Sequence, residues 1–245
     1  MTTLFISDLH LCSERPKKLE LFKELLRGPA RKAESLYILG DLFEAWAGDD
    51  DTTPPHEDII SELADYSRSG HKLFIMRGNR DYLMSRQFTE KTGGQLLNDE
   101  TQITLNEEKI LLMHGDTLCT EDVKYQVFRR LVNNVFSRKF FMCFPYHLRT
   151  KIWHKIRSAT KKSAQNNSGY LTDVYQPTVE KMMKKHGTLH LIHGHTHRQA
   201  VHEFKLDGQD ATRIVLGDWI QGDSVLVADN KDLSLVGVEE YIASS

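Results

Sequence analysis

Cysteine is scarce in this chain: three residues in 245, Cys12, Cys119 and Cys143, an odd number with no C-x-x-C pair. That pattern argues against a disulfide framework and against a thiolate zinc site, and it favours a reducing compartment. Long apolar runs are also missing. No stretch approaches the roughly 18 residues needed to span a bilayer, and Asp8 and His10 interrupt the only early apolar run, so no secretion signal is expected. Neither sign of charge dominates: 32 bases stand against 34 acids, which removes any general nucleic-acid footprint. What remains, at 40% hydrophobic content, suits one large α/β domain or a domain carrying an insertion.

Five short apolar runs each break off into polar, ligand-type residues. Leu4-Phe5-Ile6 leads to Asp8 and His10, Leu36 to Leu39 to Gly40-Asp41, and Lys72 to Met76 to Gly78-Asn79-Arg80-Asp81. Lys109 to Met113 leads to His114-Gly115-Asp116, and Leu189 to Ile192 to His193-Gly194-His195-Thr196-His197. Such runs read as buried strands, and on an extended chain Asp8 and His10 would share a face. Taken singly, Asn79 could be a turn residue, His114 a core histidine, and His195 and His197 an exposed strand end. Together, seven such residues at five strand exits form a two-metal inventory. His193 directly follows the buried run and reads as structural.

Between the first strands lie helical patterns. One runs from about Pro16 to Leu26, and another opens at Pro54-Pro55 and ends at Gly70. This β-α-β-α-β rhythm predicts a layered α/β fold with its site at the carboxyl ends of strands. From Gln95 to Met113, and again from Gln199 onward, the pattern is extended and lacks helical periodicity. Two packed sheets are expected, one laid down by each half of the chain.

The interval 123–172 differs in kind. It holds eleven Lys and Arg residues and no Asp or Glu, leaving 21 bases against 34 acids elsewhere. It is also rich in apolar residues, among them Phe128, Phe136, Phe140, Phe141, Phe144 and Trp153. Helical spacing over Tyr125 to Phe136 and Tyr146 to Arg157 predicts a helical cap inserted into a core formed by 1–122 and 173–245. Basic amphipathic helices attract anionic membrane surfaces or phosphates, and their apolar faces can hold acyl chains. A solvated helical hairpin and an aromatic nucleic-acid groove are the other two readings of such a segment.

Carboxylate, amide and imidazole without thiolate favour manganese, iron or zinc. Asp41 is the best bridge between two ions, which such a carboxylate holds about 3.5–4 Å apart. Asn79 is neutral and would leave the positive field intact, and the planar fork of Arg80 matches phosphate oxygens.

In order and spacing, Asp8-x-His10, Gly40-Asp41, Gly78-Asn79-Arg80-Asp81, His114-Gly115-Asp116 and Gly194-His195-x-His197 resemble the five-block signature of the calcineurin-like metallophosphoesterases. The resemblance implies a four-layer αββα sandwich. It assigns one metal to Asp8, His10, Asp41 and His197, and a second to Asp41, Asn79, His114 and His195. Gly40-Asp41-Leu42-Phe43-Glu44 departs from the Gly-Asp-x-x-Asp-Arg-Gly of the Ser/Thr protein phosphatases, and Arg80 stands where their catalytic histidine follows the metal-binding Asn.

Longer blocks, including Tyr37 to Trp46, Gly78 to Leu83 and Met113 to Thr120, resemble the bacterial UDP-2,3-diacylglucosamine pyrophosphatases of lipid A biosynthesis. That likeness implies a manganese-dependent hydrolase at the cytoplasmic side of the inner membrane, peripheral to it, acting on an acylated UDP-glucosamine and not on nucleic acid. The products would be UMP and 2,3-diacylglucosamine 1-phosphate. A metal-bound hydroxide would attack the phosphorus nearer the uridine, with Asp41, Asn79, Arg80, His114 and His195 around the reacting centre. Asn79, Arg80 and Asp122 match the family's substrate positions, Asp122 at the glucosamine head group, and His195 would touch phosphate as well as metal. Thr160 keeps a hydroxyl where Ser is common, Ala164 and Asn167 stand where an amide and a Lys are expected, and Lys161 or Lys162 is the candidate replacement.

Overall fold

A computed structural model describes residues 2–153, 155–156, 173–220, 222–229 and 232–245. Its first strands are short apolar runs buried on both faces, as strands covered by layers on either side must be. They are β1 (Thr3–Ile6), β2 (Ser35–Leu39) and β3 (Lys72–Met76). They pair in parallel, and β4 (Gln95–Leu96) extends the same edge. The crossovers are α1 (Pro16–Arg27), α2 (His56–Arg68) and α3 (Arg86–Thr92). Pro16 opens α1 without wasting a hydrogen bond, and Gly93 closes α3 in the left-handed conformation.

The second sheet has β5 (Thr101–Leu105) and β6 (Glu108–Met113) on one side, with β7 (His190–His193), β9 (Gln209–Val215) and β8 (Ala200–Leu206) following in space. Between β6 and β7 the chain forms α4 (Val123–Asn133), α5 (Val135–Met142), α6 (residues 146–153) and α7 (Gln176–His186). After β9 come β10 (Val225–Asp229), β11 (Asp232–Val236) and α8 (Val238–Ser244).

Alternation along the strands sorts side chains into three cores. Leu4 and Ile6 face α1 and α2, where Phe22, Leu25, Ile59 and Leu63 cover them. Phe5, Leu39 and Met76 point the other way and meet Leu112, Ile192 and Ile214 of the second sheet. On the far side, Leu111, Met113 and Leu191 pack against Val179 and Met183 of α7. The order is therefore helices, sheet, sheet, helix, the four-layer αββα arrangement.

Two expectations need correction. The sheets do not divide the chain by halves, because β10 pairs antiparallel with β1 and brings β11 with it into the first sheet. Nor is the C-terminal stretch wholly extended: Val238 is buried in the first core, and α8 covers that face beside α1. The described part of the inserted segment is largely helical, but its first helix stops at Asn133. Asn134 then caps α5 by accepting from the N–H groups of Phe136 and Ser137.

Candidate metal centre

The seven predicted metal-binding residues lie at the carboxyl ends of β1, β2, β3, β6 and β7, five parallel strands drawn from both sheets. How they converge differs from the expected alternation. β1 ends at Ile6, and Asp8 and His10 have φ of 55° and 48°. Asp41, His195 and His197 are left-handed as well, at 53°, 70° and 59°. For a residue with a Cβ this costs about 1–2 kcal/mol each, and such strain persists only where the surroundings hold it. Backbone bonds between the exit loops supply that hold: Asp8 N donates to Gly40 O at 3.1 Å, His10 N to Asp41 O at 2.9 Å, and Gly194 N to His114 O at 2.8 Å.

The side chains form two groups with Asp41 between them. In the first, Asp8 Oδ1 lies 3.3 Å from His197 Nε2 and 3.9 Å from His10 Nε2, and the two imidazole nitrogens are 3.2 Å apart. In the second, Asn79 Oδ1 lies 3.1 Å from His114 Nε2 and 2.9 Å from His195 Nδ1. Asp41 turns Oδ2 toward His10 Nε2 and Oδ1 toward His114 Nε2, 3.8 Å in each case. Asp8, His10 and His197, and likewise Asp8, Asp41 and His114, are spaced closely enough to hold an ion. Asp8 Oδ1 and His10 Nδ1 are buried without a hydrogen-bond partner. Oxygen and imidazole donors with an unpartnered carboxylate oxygen fit a divalent cation.

The surroundings aim each ligand atom. Asp8 Oδ2 accepts from Ser7 Oγ at 2.6 Å and from His195 N at 2.8 Å, which leaves Oδ1 for the centre. His114 Nδ1 sits 2.8 Å from Leu39 O, so Nε2 faces inward. His197 Nδ1 meets Asp218 Oδ2 at 2.9 Å, the arrangement in which an outer carboxylate orients a histidine for metal binding. Asp81 accepts from the N–H groups of Gly78 and Leu42, each at 2.7 Å, and so ties the exits of β2 and β3 together.

Charge is crowded here. Burial, with Asp81 and Asp8 adding to it, pushes the Asp41 carboxyl up to about 7 despite His114 and Arg80. Burial works against protonated His114, but Asp41, Asp8 and Asp116 outweigh it and carry it up to about 9. His197 likewise overcomes burial through Asp218 and Asp8 and rises to about 10. Burial is the main cause of the fall of His10 and His195 to about 4. His193 is structural, as expected: it is buried, its Nδ1 lies 2.8 Å from Gly194 O, and Arg213 Nη1 approaches its Nε2 at 3.3 Å.

Arg80 donates its backbone N–H to Asp41 Oδ1 at 2.8 Å, and its half-buried side chain places Nε 3.9 Å from Asp41 Oδ2. Asp122 lies farther out as the N-cap of α4, accepting from Tyr125 N at 2.9 Å. Tyr125 bonds Asp116 Oδ2 at 2.9 Å and stacks near the ring of His195, with centroids 6.1 Å apart. Arg129 also binds Asp116, at 2.5 Å, so α4 is pinned beside the centre by a network that motif spacing did not reveal. Thr160, Lys161, Lys162, Ala164 and Asn167 lie outside the described residues, as does the far part of the expected cap.

Farther along, Arg149 of α6 is 2% exposed and donates to Ala47 O at 2.6 Å and to Asp50. Trp153 packs on Tyr82. The opposite side of α4 and α5 is bare: Val127, Leu131, Val135, Phe136 and Phe140 are all more than half exposed. No helix among the described residues is long and apolar enough to cross a membrane.

Residues 1–199 match the calcineurin-like phosphoesterase family. The chain is 45% identical over 235 residues to a UDP-2,3-diacylglucosamine hydrolase of Azotobacter vinelandii, covering 96% of this chain and 98% of that one. A Pseudomonas putida protein of the same description is 45% identical over 236 residues, and one from Escherichia coli is 43% identical over 236 residues; each pairing covers 96% of this chain and 98% of the relative.

Proposed function

The chain belongs to the calcineurin-like phosphoesterase family and is a hydrolase, and from that premise we propose that it cleaves UDP-2,3-diacylglucosamine to UMP and 2,3-diacylglucosamine 1-phosphate. The observation that carries this is the joining, in one site, of a bridged pair of oxygen and nitrogen clusters with a helical flank whose outer face is apolar. The relatives' common substrate has both a diphosphate and two acyl chains, and each finds a counterpart.

The site's chemistry divides among its residues. Two manganese ions, held by Asp8, His10, Asp41 and His197 and by Asp41, Asn79, His114 and His195, would supply Lewis acidity when bound. Asp41 gives each cluster one oxygen, and Asn79 adds an oxygen without adding charge. Arg80, held by its backbone against Asp41, presents a guanidinium to the phosphoryl oxygens and stabilises the charge that grows there. Water attacks the phosphorus nearer the uridine. The bond from that phosphorus to the bridging oxygen breaks, so that oxygen leaves with the sugar phosphate. Asp122, at the start of α4, takes the glucosamine head group. The acyl chains follow the apolar side of α4 and α5, with Thr160, Lys161, Lys162 and Asn167 supplying further polar contacts. On this proposal the protein works from the cytoplasmic face of the inner membrane, and the apolar and basic segment supports a peripheral attachment.

Manganese-dependent release of UMP from acylated and from deacylated UDP-glucosamine tests the proposal. A strong preference for the acylated form is expected. Equal turnover of both would make the protein a general nucleotide phosphodiesterase, and turnover of neither would make it a binding module.

A further inference from the structure

Next to the metal centre, on the other side of Gly78, lies a small cavity of about 80 Å³ whose lining is mostly polar. Three guanidinium groups face it: Arg77 just after β3, Arg129 of α4 and Arg138 of α5. Arg129 is neutralised, since Asp116 lies 2.5 Å from its Nε and Asp99, also in the lining, lies 2.7 Å from its Nη2. Arg77 and Arg138 have no such paired contact, and Asp99 and Asp49 offset their charge only from a distance. Among the described residues neither has a carboxylate within 4.0 Å, and the two converge on a single carbonyl. Arg77 Nε donates to Met84 O at 2.8 Å and Arg138 Nη2 to the same oxygen at 3.3 Å.

Two half-buried cations sharing one neutral acceptor repel each other, and bringing them together lowers stability unless an anion joins them. Each retains donors for such an anion, and the planar fork suits two oxygens of one phosphate. Tyr82 and Asn133 complete the lining. A volume of this size admits a phosphate group. Gly78 leads directly into Asn79, so whatever sits here lies next to the reacting centre.

We propose that Arg77 and Arg138 form a second anion subsite that receives the phosphate group of a product as it leaves. The assignment to a product rests on the diphosphate hydrolysis proposed above; the anion site itself does not. An occupant would also join α5 to the end of β3, coupling product departure to the position of the helical segment.

Inorganic phosphate is the probe, titrated calorimetrically into the full chain at low salt after chelation of metal, so that the centre itself cannot bind it. The wild-type chain is expected to bind with a millimolar or tighter Kd. R77A/R138A should weaken binding at least tenfold, and R138Q alone by an intermediate factor, should the double variant melt early. Absence of phosphate binding by the wild type, or equal binding by R138Q, overturns the site. UMP and 2,3-diacylglucosamine 1-phosphate are then added as competitors. Displacement by one of them names the product that occupies the site, and displacement by neither overturns the product assignment. Phosphate binding in a chain that releases no UMP would leave the subsite standing and remove the proposed reaction instead.

Discussion

Replacing Gly78 with alanine should damage the site from behind without replacing any of its ligand-type side chains. A Cβ built there stands 2.8 Å from Asp41 Cγ and nearer still to Asp41 Oδ1 and backbone nitrogen. Real Cβ atoms do not approach so closely, and backbone cannot yield as a flexible side chain would, so Asp41 must move. Forcing a methyl into a packed site costs about 1–3 kcal/mol. Displacing the carboxylate also loses the bond from Arg80 N at 2.8 Å, and hydrogen bonds to charged groups contribute about 1.5–3 kcal/mol. The two terms overlap, and about 3 kcal/mol in all should lower Tm by about 6–12 °C in a chain of this size. Displacement by an ångström at the reacting centre costs about 10²-fold in rate. Calorimetric melting with and without manganese separates the effects. A metal at 100 times its Kd stabilises the native state by about 2.7 kcal/mol, and that gain should shrink in the variant. Gly222→Ala is the control, because its Cβ would meet nothing nearer than Asp218 O at 3.8 Å; its stability should stay within about 0.5 kcal/mol of wild type. A Gly78→Ala protein that keeps its melting point, its response to manganese and its turnover would show that Gly78 does not hold Asp41 in place.

Asp218→Asn should lower manganese affinity about 10–100-fold, as loss of an outer carboxylate on a ligating histidine does; unchanged affinity by calorimetric titration would remove Asp218 from the centre. Arg149→Ala frees α6 from the 47–50 loop, at a cost of about 2–3 kcal/mol for the buried hydrogen bonds it makes. Limited proteolysis should then cut within residues 123–153 before the rest of the chain, and an unchanged digestion pattern would count against that anchoring. Phe136→Asp with Phe140→Asp should raise KM for the acylated substrate and reduce binding to anionic vesicles, with kcat nearly unchanged; a fall in kcat at constant KM would place these aromatics elsewhere in the cycle.

The strand ends were legible because a short apolar run must be buried, and polar residues at its exit gain nothing from that burial unless they have work to do. Asp41 and His114 could be placed at one site on that ground alone. What alternation cannot carry is which sheet a strand joins: β10 is as apolar as β7, and only its antiparallel register on β1, Leu4 opposite Val227, assigns it to the first sheet. The left-handed backbone at Asp8, His10, Asp41, His195 and His197 has no sequence signal of its own, and their convergence comes from cross-loop hydrogen bonds rather than from strand geometry. Asp116 and Asp81 stood inside the motif blocks without an assigned part. Their partners, Tyr125 and Arg129 for one and the amides of Gly78 and Leu42 for the other, are set by how the loops and α4 fold back, which motif spacing does not show. Asp218 lies in a Gly-Asp-Trp stretch with no ligand spacing to mark it. The break at Asn134 is a capping effect, hidden because the apolar pattern continues through it.

The proposed hydrolysis requires side chains from five strand ends to close on a pair of cations through Asp41. Titrating chelator-stripped protein with manganese while following UMP release tests it most directly. Two ions per chain should bind, with activity returning only as the second site fills, and Asp41→Ala should neither bind a full pair nor recover turnover. A wild-type chain that is fully active with one ion or none, or an Asp41→Ala chain that still binds two and turns over normally, would contradict it.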